Sequence, residues 1–165
     1  GVCDQVYYDV YVSSETPFKE FEFDGYTYCY VASKCKLGIE NVHYSGGVRI
    51  TDKERTTLDS IKDMDKISGI EEVLANIDGF TSLNEEKLTG YLQEYHNQFL
   101  YQKTGFILYP YRDKLGLSHS FFEMCQYKTG KSKRYLTKEF TNGTYNKEWK
   151  LVVPDEIYRL KNGVF

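Results

Sequence analysis

From Val6 to Ser13 the chain alternates. Val6, Tyr8, Val10 and Val12 fall on one face and Tyr7, Asp9 and Tyr11 on the other, a period of two that predicts a strand. Pro17 breaks the pattern, and Phe18, Phe21 and Phe23 lead to Asp24-Gly25, a dipeptide that favours a tight hairpin turn. Tyr26 to Ser33 alternates again as the return strand. Lys36 to Val42 reads as a further extended segment, turned back by Ser45-Gly46-Gly47 into Val48-Arg49-Ile50. The expectation as far as Ile50 is a mostly antiparallel sheet.

The period becomes helical at Thr51. Thr51 stands where an N-cap belongs and Glu54 lies three residues on, the spacing of a reciprocal capping box. Arg55 and Asp59, four apart, face each other across one turn. Leu58, Ile61 and Met64 line one face of this helix. Ser68 with Glu71 predicts a second cap, opening a helix that turns Ile70, Val73, Leu74 and Ile77 inward and closes at Gly79. Ser82 with Glu85 predicts a third. Behind it Leu88, Tyr91, Leu92, Tyr95, Phe99 and Gln102 make one stripe, read as a single helix of about five turns. Gly105 permits close packing or a bend before Phe106-Ile107-Leu108, and Pro110 argues against continuation. Ser118 to Gln126 reads as one more short helix or as an irregular segment. Arg134 to Thr137 and Trp149 to Val153, separated by Thr141-Asn142-Gly143-Thr144, read as a final hairpin. The fold class is therefore α+β: an N-terminal mostly antiparallel sheet, a central segment of three or more helices, and a C-terminal β-hairpin.

A length of 165 residues suits one domain, taken as residues 1–165. Formal charge is -3 with no long single-sign block, which argues against a strongly electrostatic nucleic-acid binder. Sixteen tyrosines and ten phenylalanines suit a Tyr-rich sheet surface or an interface. Cysteines at 3, 29, 35 and 125 and histidines at 43, 96 and 119 match no zinc spacing. With no signal peptide and no apolar run of about 20 residues, the chain is expected to be cytoplasmic, off the membrane, with reduced thiols and neither metal nor cofactor. The Asn142-Gly143-Thr144 sequon reads as a turn.

Val48, Thr51, Asp52, Glu54, Arg55, Thr56 and Asp59 spell Val-x-x-Thr-Asp-x-Glu-Arg-Thr-x-x-Asp. This string resembles the signature of the AbiEi-type antitoxins, the antitoxin and autorepressor halves of bacterial type IV toxin-antitoxin, or abortive infection, systems. Residues 1–12 resemble that family's opening segment, Asn84 to Leu108 its long helix ending in Gly-Phe-Ile-Leu, and Arg134 to Val153 its closing strands with a Trp near the end. The resemblance covers nearly the whole chain. It implies a C-terminal antitoxicity domain acting against a cognate nucleotidyltransferase-like toxin and no enzymatic activity. Operator DNA would be bound through a winged helix-turn-helix upstream. Gly1 aligns in mid-motif, so a fragment is expected. The Glu-Arg-Thr-x-x-Asp segment also precedes a small nuclease-like domain in other bacterial proteins. A nuclease-like domain and a plain dimerisation or regulatory module are therefore the alternatives.

Two groups of residues are candidate sites. Glu54, Arg55 and Asp59 are residue types that can bind metal or phosphate, but Glu54 and Asp59 lie five apart and diverge around the helix. Thr51, Asp52, Glu54, Arg55, Thr56 and Asp59 are therefore expected to secure the sheet-to-helix junction, with a contact surface as the alternative. Lys128, Lys131, Lys133, Arg134 and Lys138 place five cations in eleven residues, with Tyr127 and Tyr135 among them. That composition suits nucleic-acid phosphates and bases, an acidic protein, or a solvated edge strand. Glu148-Trp149-Lys150 and Val153-Pro154-Asp155 carry the residue types of a restriction-type nuclease, but in reversed order and too close together. They are read as chance, and no catalytic residue is assigned.

Overall fold

The computed structural model describes residues 8–33, 35–42, 46–67, 69–138 and 142–160. Residues 1–35 and 36–165 form two compact units. The chain is mixed α+β, with strands at both ends and helices between them.

In the first unit β1 (Tyr8–Ser14), β2 (Phe21–Phe23) and β3 (Tyr26–Ala32) form a sheet in the order β1-β3-β2. The predicted hairpin is present, with Asp24 and Gly25 both at positive φ. The antiparallel expectation fails at β1, which pairs with β3 in parallel from Tyr8↔Tyr26 to Ser14↔Ala32. A period of two reports which face a side chain takes, not the direction of the neighbouring strand, and residues 15–20 are long enough to carry the chain past one strand. The registers place Val10, Val12, Phe21, Phe23, Tyr26, Tyr28 and Tyr30 on one face. Phe21 stacks on Tyr28 with centroids 4.9 Å apart, and Phe18 meets Tyr30 edge-on at 5.4 Å.

The second unit opens on the antiparallel pair β4 (Ile39–Asn41) and β5 (Arg49–Thr51). Among the described residues seven helices follow: α1 (Lys53–Lys62), α2 (Met64–Ile67), α3 (Gly69–Asp78), α4 (Glu85–Tyr95), α5 (Gln98–Leu108), α6 (Arg112–Leu115) and α7 (His119–Lys128). The expected inward faces hold: Leu58, Ile61 and Met64, then Ile70, Val73, Leu74 and Ile77, are all buried. Ser68, the expected second cap, lies outside the described residues. The third cap is Asn84 rather than Ser82, its side chain accepting from Lys87 N.

The single long helix is two. His96 takes the left-handed conformation and Asn97 starts afresh as an N-cap, accepting from Phe99 N and Leu100 N. A good capping residue offers the backbone a competing partner, while the apolar stripe continues across the break and conceals it. Gly105 does permit close packing. A Cβ there would stand 1.9 Å from the Trp149 ring, so only glycine admits the indole. Past Leu108 the chain winds on through a 3-10 turn, Tyr109–Tyr111, whose first turn accommodates Pro110.

At the C-terminal end β6 (Arg134–Tyr135), β7 (Thr144–Asn146) and β8 (Leu151–Val153) pair in the order β6-β8-β7, and α8 (Asp155–Leu160) follows. The hairpin is made by β7 and β8, with β6 parallel to β8. This replaces the predicted pairing of the 134 and 149 segments across Asn142-Gly143. Strands of two or three residues carry too little alternation to identify their partners. One core, from Leu58 through Trp149 to Ile157, fills the second unit.

Candidate functional site

The signature residues lie where β5 enters α1, and most of them are buried. The predicted capping box is displaced by one residue. Asp52, not Thr51, is the N-cap, with Oδ1 accepting from Arg55 N at 2.8 Å. Thr51 remains in β5, its hydroxyl 2.7 Å from that of Thr56. Glu54 does not reach back to the cap. Its carboxylate accepts from Asn84 N at 2.8 Å, so it holds the start of α4. Local spacing allowed either pairing, and the approach of α4 selects this one.

Arg55 is 1% exposed. Its Nε donates to Asp59 at 2.8 Å, the expected pairing across one turn, and Nη1 donates to the Leu37 carbonyl at 2.7 Å. The extended segment before β4 thus lies across the guanidinium. Gly38 makes that passage possible, at φ +70° with Tyr91 and Arg55 where a Cβ would stand. From α4, Tyr91 donates to Asp52 at 2.6 Å, Lys87 approaches the same carboxylate at 2.9 Å, and Tyr95 donates to Asp59. Burial works to raise the Asp52 carboxyl, but the Tyr91 hydroxyl, the Arg55 amide and Lys87 outweigh it and hold it below the usual carboxylate range. Lys87 is correspondingly raised by its bond to Asp52.

Lys87, Tyr91 and Tyr95 were missed as members of this network. Their spacing of four was the available signal, since it puts one cation and two hydroxyls on a single helix face, but the tyrosines read equally well as part of the apolar stripe.

The basic segment is different in kind. Lys128, Lys131, Lys133, Tyr135 and Lys138 are exposed and Tyr127 is 85% exposed. Arg134 departs from the expectation of a freely solvated cation, because it is partly buried over the Phe99 ring at 5.1 Å. The same ring receives the ammonium of Lys103 at 4.7 Å. Lys103 is itself buried, and that burial pushes its amine below the ordinary lysine value despite Asp65 and Asp63. Lys133 lies 5.4 Å from the Tyr145 ring, and Lys138 lends its backbone amide to Asp65.

The nuclease-like residues are engaged separately. Glu148 accepts from Gln126 at 2.7 Å, and Asp155 accepts from Thr144 at 2.9 Å. Lys150 approaches the Gly130 carbonyl. Among the described residues no group of three or more His, Cys, Asp or Glu side chains is placed to hold a metal ion, and no helix is long and apolar enough to cross a membrane. Cys29 and Cys125 are free thiols, and burial pushes Cys125 up to about 12.

No protein-family model, curated protein or solved structure matches the chain.

Proposed function

We propose that this chain is a non-catalytic antitoxicity and regulatory domain of the AbiEi type, neutralising a nucleotidyltransferase-like toxin in the bacterial cytoplasm. Its exposed basic segment makes the contact that neutralisation requires. One observation carries the reading. The charged signature residues Asp52, Glu54, Arg55 and Asp59 are buried and bound to one another or to neighbouring backbone, while Lys128, Lys131 and Lys133 stand in solvent. The motif that invites a catalytic interpretation is occupied in holding β5, α1 and α4 together, and the cations remain available to an acidic or phosphate-bearing partner. Operator binding belongs, on this reading, to a winged helix-turn-helix preceding the segment.

The test is growth rescue. The chain is co-expressed with the toxin encoded beside it, and the parent should restore growth. A Lys128→Glu, Lys131→Glu, Lys133→Glu variant should remain folded and fail to do so. A parent chain that does not rescue, or magnesium-dependent cleavage of DNA or RNA by the purified chain, defeats the proposal.

A further inference from the structure

At the C-terminal sheet of the second unit the strand registers bring aromatic rings together on one face. Tyr135 in β6 and Tyr145 in β7 are each paired with Val152 in β8, so the three side chains project from the same side in a row across the sheet. Leu151 and Val153 turn to the other side and into the core, while Val152 lies outside it. Both rings are open, Tyr135 at 50% and Tyr145 at 41% exposure. Lys133, two residues ahead of Tyr135, carries its ammonium to 5.4 Å from the Tyr145 ring. Lys128 and Lys131 stand in solvent on the chain leading into β6.

The net charge of -3 conceals a division. Residues 127–150 hold seven lysines and arginines against Glu139 and Glu148, a formal +5, so the rest of the chain is -8. Cations alone suit an acidic protein as well as a phosphate backbone. The rings decide between them. A carboxylate gains nothing from the negative π face of a tyrosine, whereas a nucleobase stacks on it. A duplex keeps its bases inside, so only a single strand can present one to each ring. The rings stand two strand spacings apart, roughly 10 Å, and the bases they receive are therefore splayed. Of the two polymers, RNA is the one abundant as single strands in the bacterial cytoplasm, where the antitoxin reading places the chain.

We infer that this face binds single-stranded RNA, with one base on Tyr135, a second on Tyr145, and the adjoining phosphates on Lys133, Lys131 and Lys128. The inference rests on the reading of the basic segment as the working surface and names its partner.

The probe is a fluorescein-labelled oligouridylate of about ten nucleotides, titrated into the full chain without toxin and followed by anisotropy. Tyr135→Leu and Tyr145→Leu should each weaken binding about tenfold, and Tyr135→Phe, which keeps the ring, should not. Both positions are exposed, so the variants are expected to fold, and circular dichroism checks that they do. In the parent, log affinity should fall with log salt at a slope of about -2, for about three phosphates neutralised, and Lys128→Glu with Lys131→Glu and Lys133→Glu should abolish that dependence. Duplex RNA of the same length should bind more weakly. Indifference to both leucine changes, equal binding of the duplex, tighter binding of the deoxy strand, or tighter binding of a labelled polyglutamate peptide overturns the inference. If the peptide wins while growth rescue still needs the lysines, the antitoxin reading stands and the RNA is rejected. RNA binding through both rings by a chain that does not rescue upholds the RNA and rejects the antitoxin reading.

Discussion

The α1 junction and the 128–138 segment are the two charge-rich stretches of the second unit, and they use charge in opposite ways. At the junction a guanidinium and three carboxylates are taken out of water, and each is met by a specific partner from the segment before β4, from α1, or from α4 and its cap. Burial raises the cost of any missing partner, so such a group works as a fastener. In the basic segment the lysines keep their hydration. They contribute little to folding and remain free to act at a distance. Residue type does not separate the two. Burial does.

The largest break in that contrast is Arg55→Ala. It removes the cation from Asp59, leaving that buried carboxylate only the Tyr95 hydroxyl, and takes the donor from the Leu37 carbonyl, and it should cost about 3–5 kcal/mol in denaturant titration. Arg55→Lys should recover only part, because a single ammonium cannot reproduce both contacts. An unchanged melting temperature would return the signature to the surface.

Asp52→Asn comes next, at about 1–2 kcal/mol near neutrality. Asparagine still caps the helix, so the change isolates the charge. The folded carboxyl titrates below its unfolded value of about 3.9. Its stabilisation is therefore full above that value and is lost as pH falls through the lower folded pKa. The difference between parent and variant should shrink over the same acid range, read as melting temperature against pH.

Lys103 sharpens the comparison from the other side, as a buried cation supported by an aromatic ring where the junction would supply a carboxylate. Its folded pKa is lowered. The cost of charging it is thus present below that pKa and is relieved as pH rises toward the unfolded value of about 10.4. Lys103→Met should stabilise the fold at neutral pH by about 1 kcal/mol, some 2–4 °C in melting temperature. The gain should fade in alkaline solution.

The smallest effect on stability is expected from Lys128→Glu, Lys131→Glu and Lys133→Glu, each within about 0.5 kcal/mol of neutral. Arg134→Glu should cost more than any of them, because it removes the cation over Phe99.

What was legible in the sequence followed from local physics. Alternation marked β1, β3 and the Asp24-Gly25 hairpin, helical periodicity marked the buried faces of α1 and α3, and the spacing of Arg55 and Asp59 marked their pairing. Each of these depends on residues within a turn or two of one another. Contact across the chain decided the rest. β3 rather than β2 lies beside β1, β8 takes β6 and β7 on its two sides, and Asn97 divides a continuous apolar stripe because it caps a second helix. In the candidate site, α4 chose among options that local spacing left equal. Glu54 could satisfy its own cap or the start of α4, and Tyr91 could be core or hydrogen-bond donor. A carboxylate withdrawn from water takes the donor nearest to it, and which donor that is depends on how the helices pack.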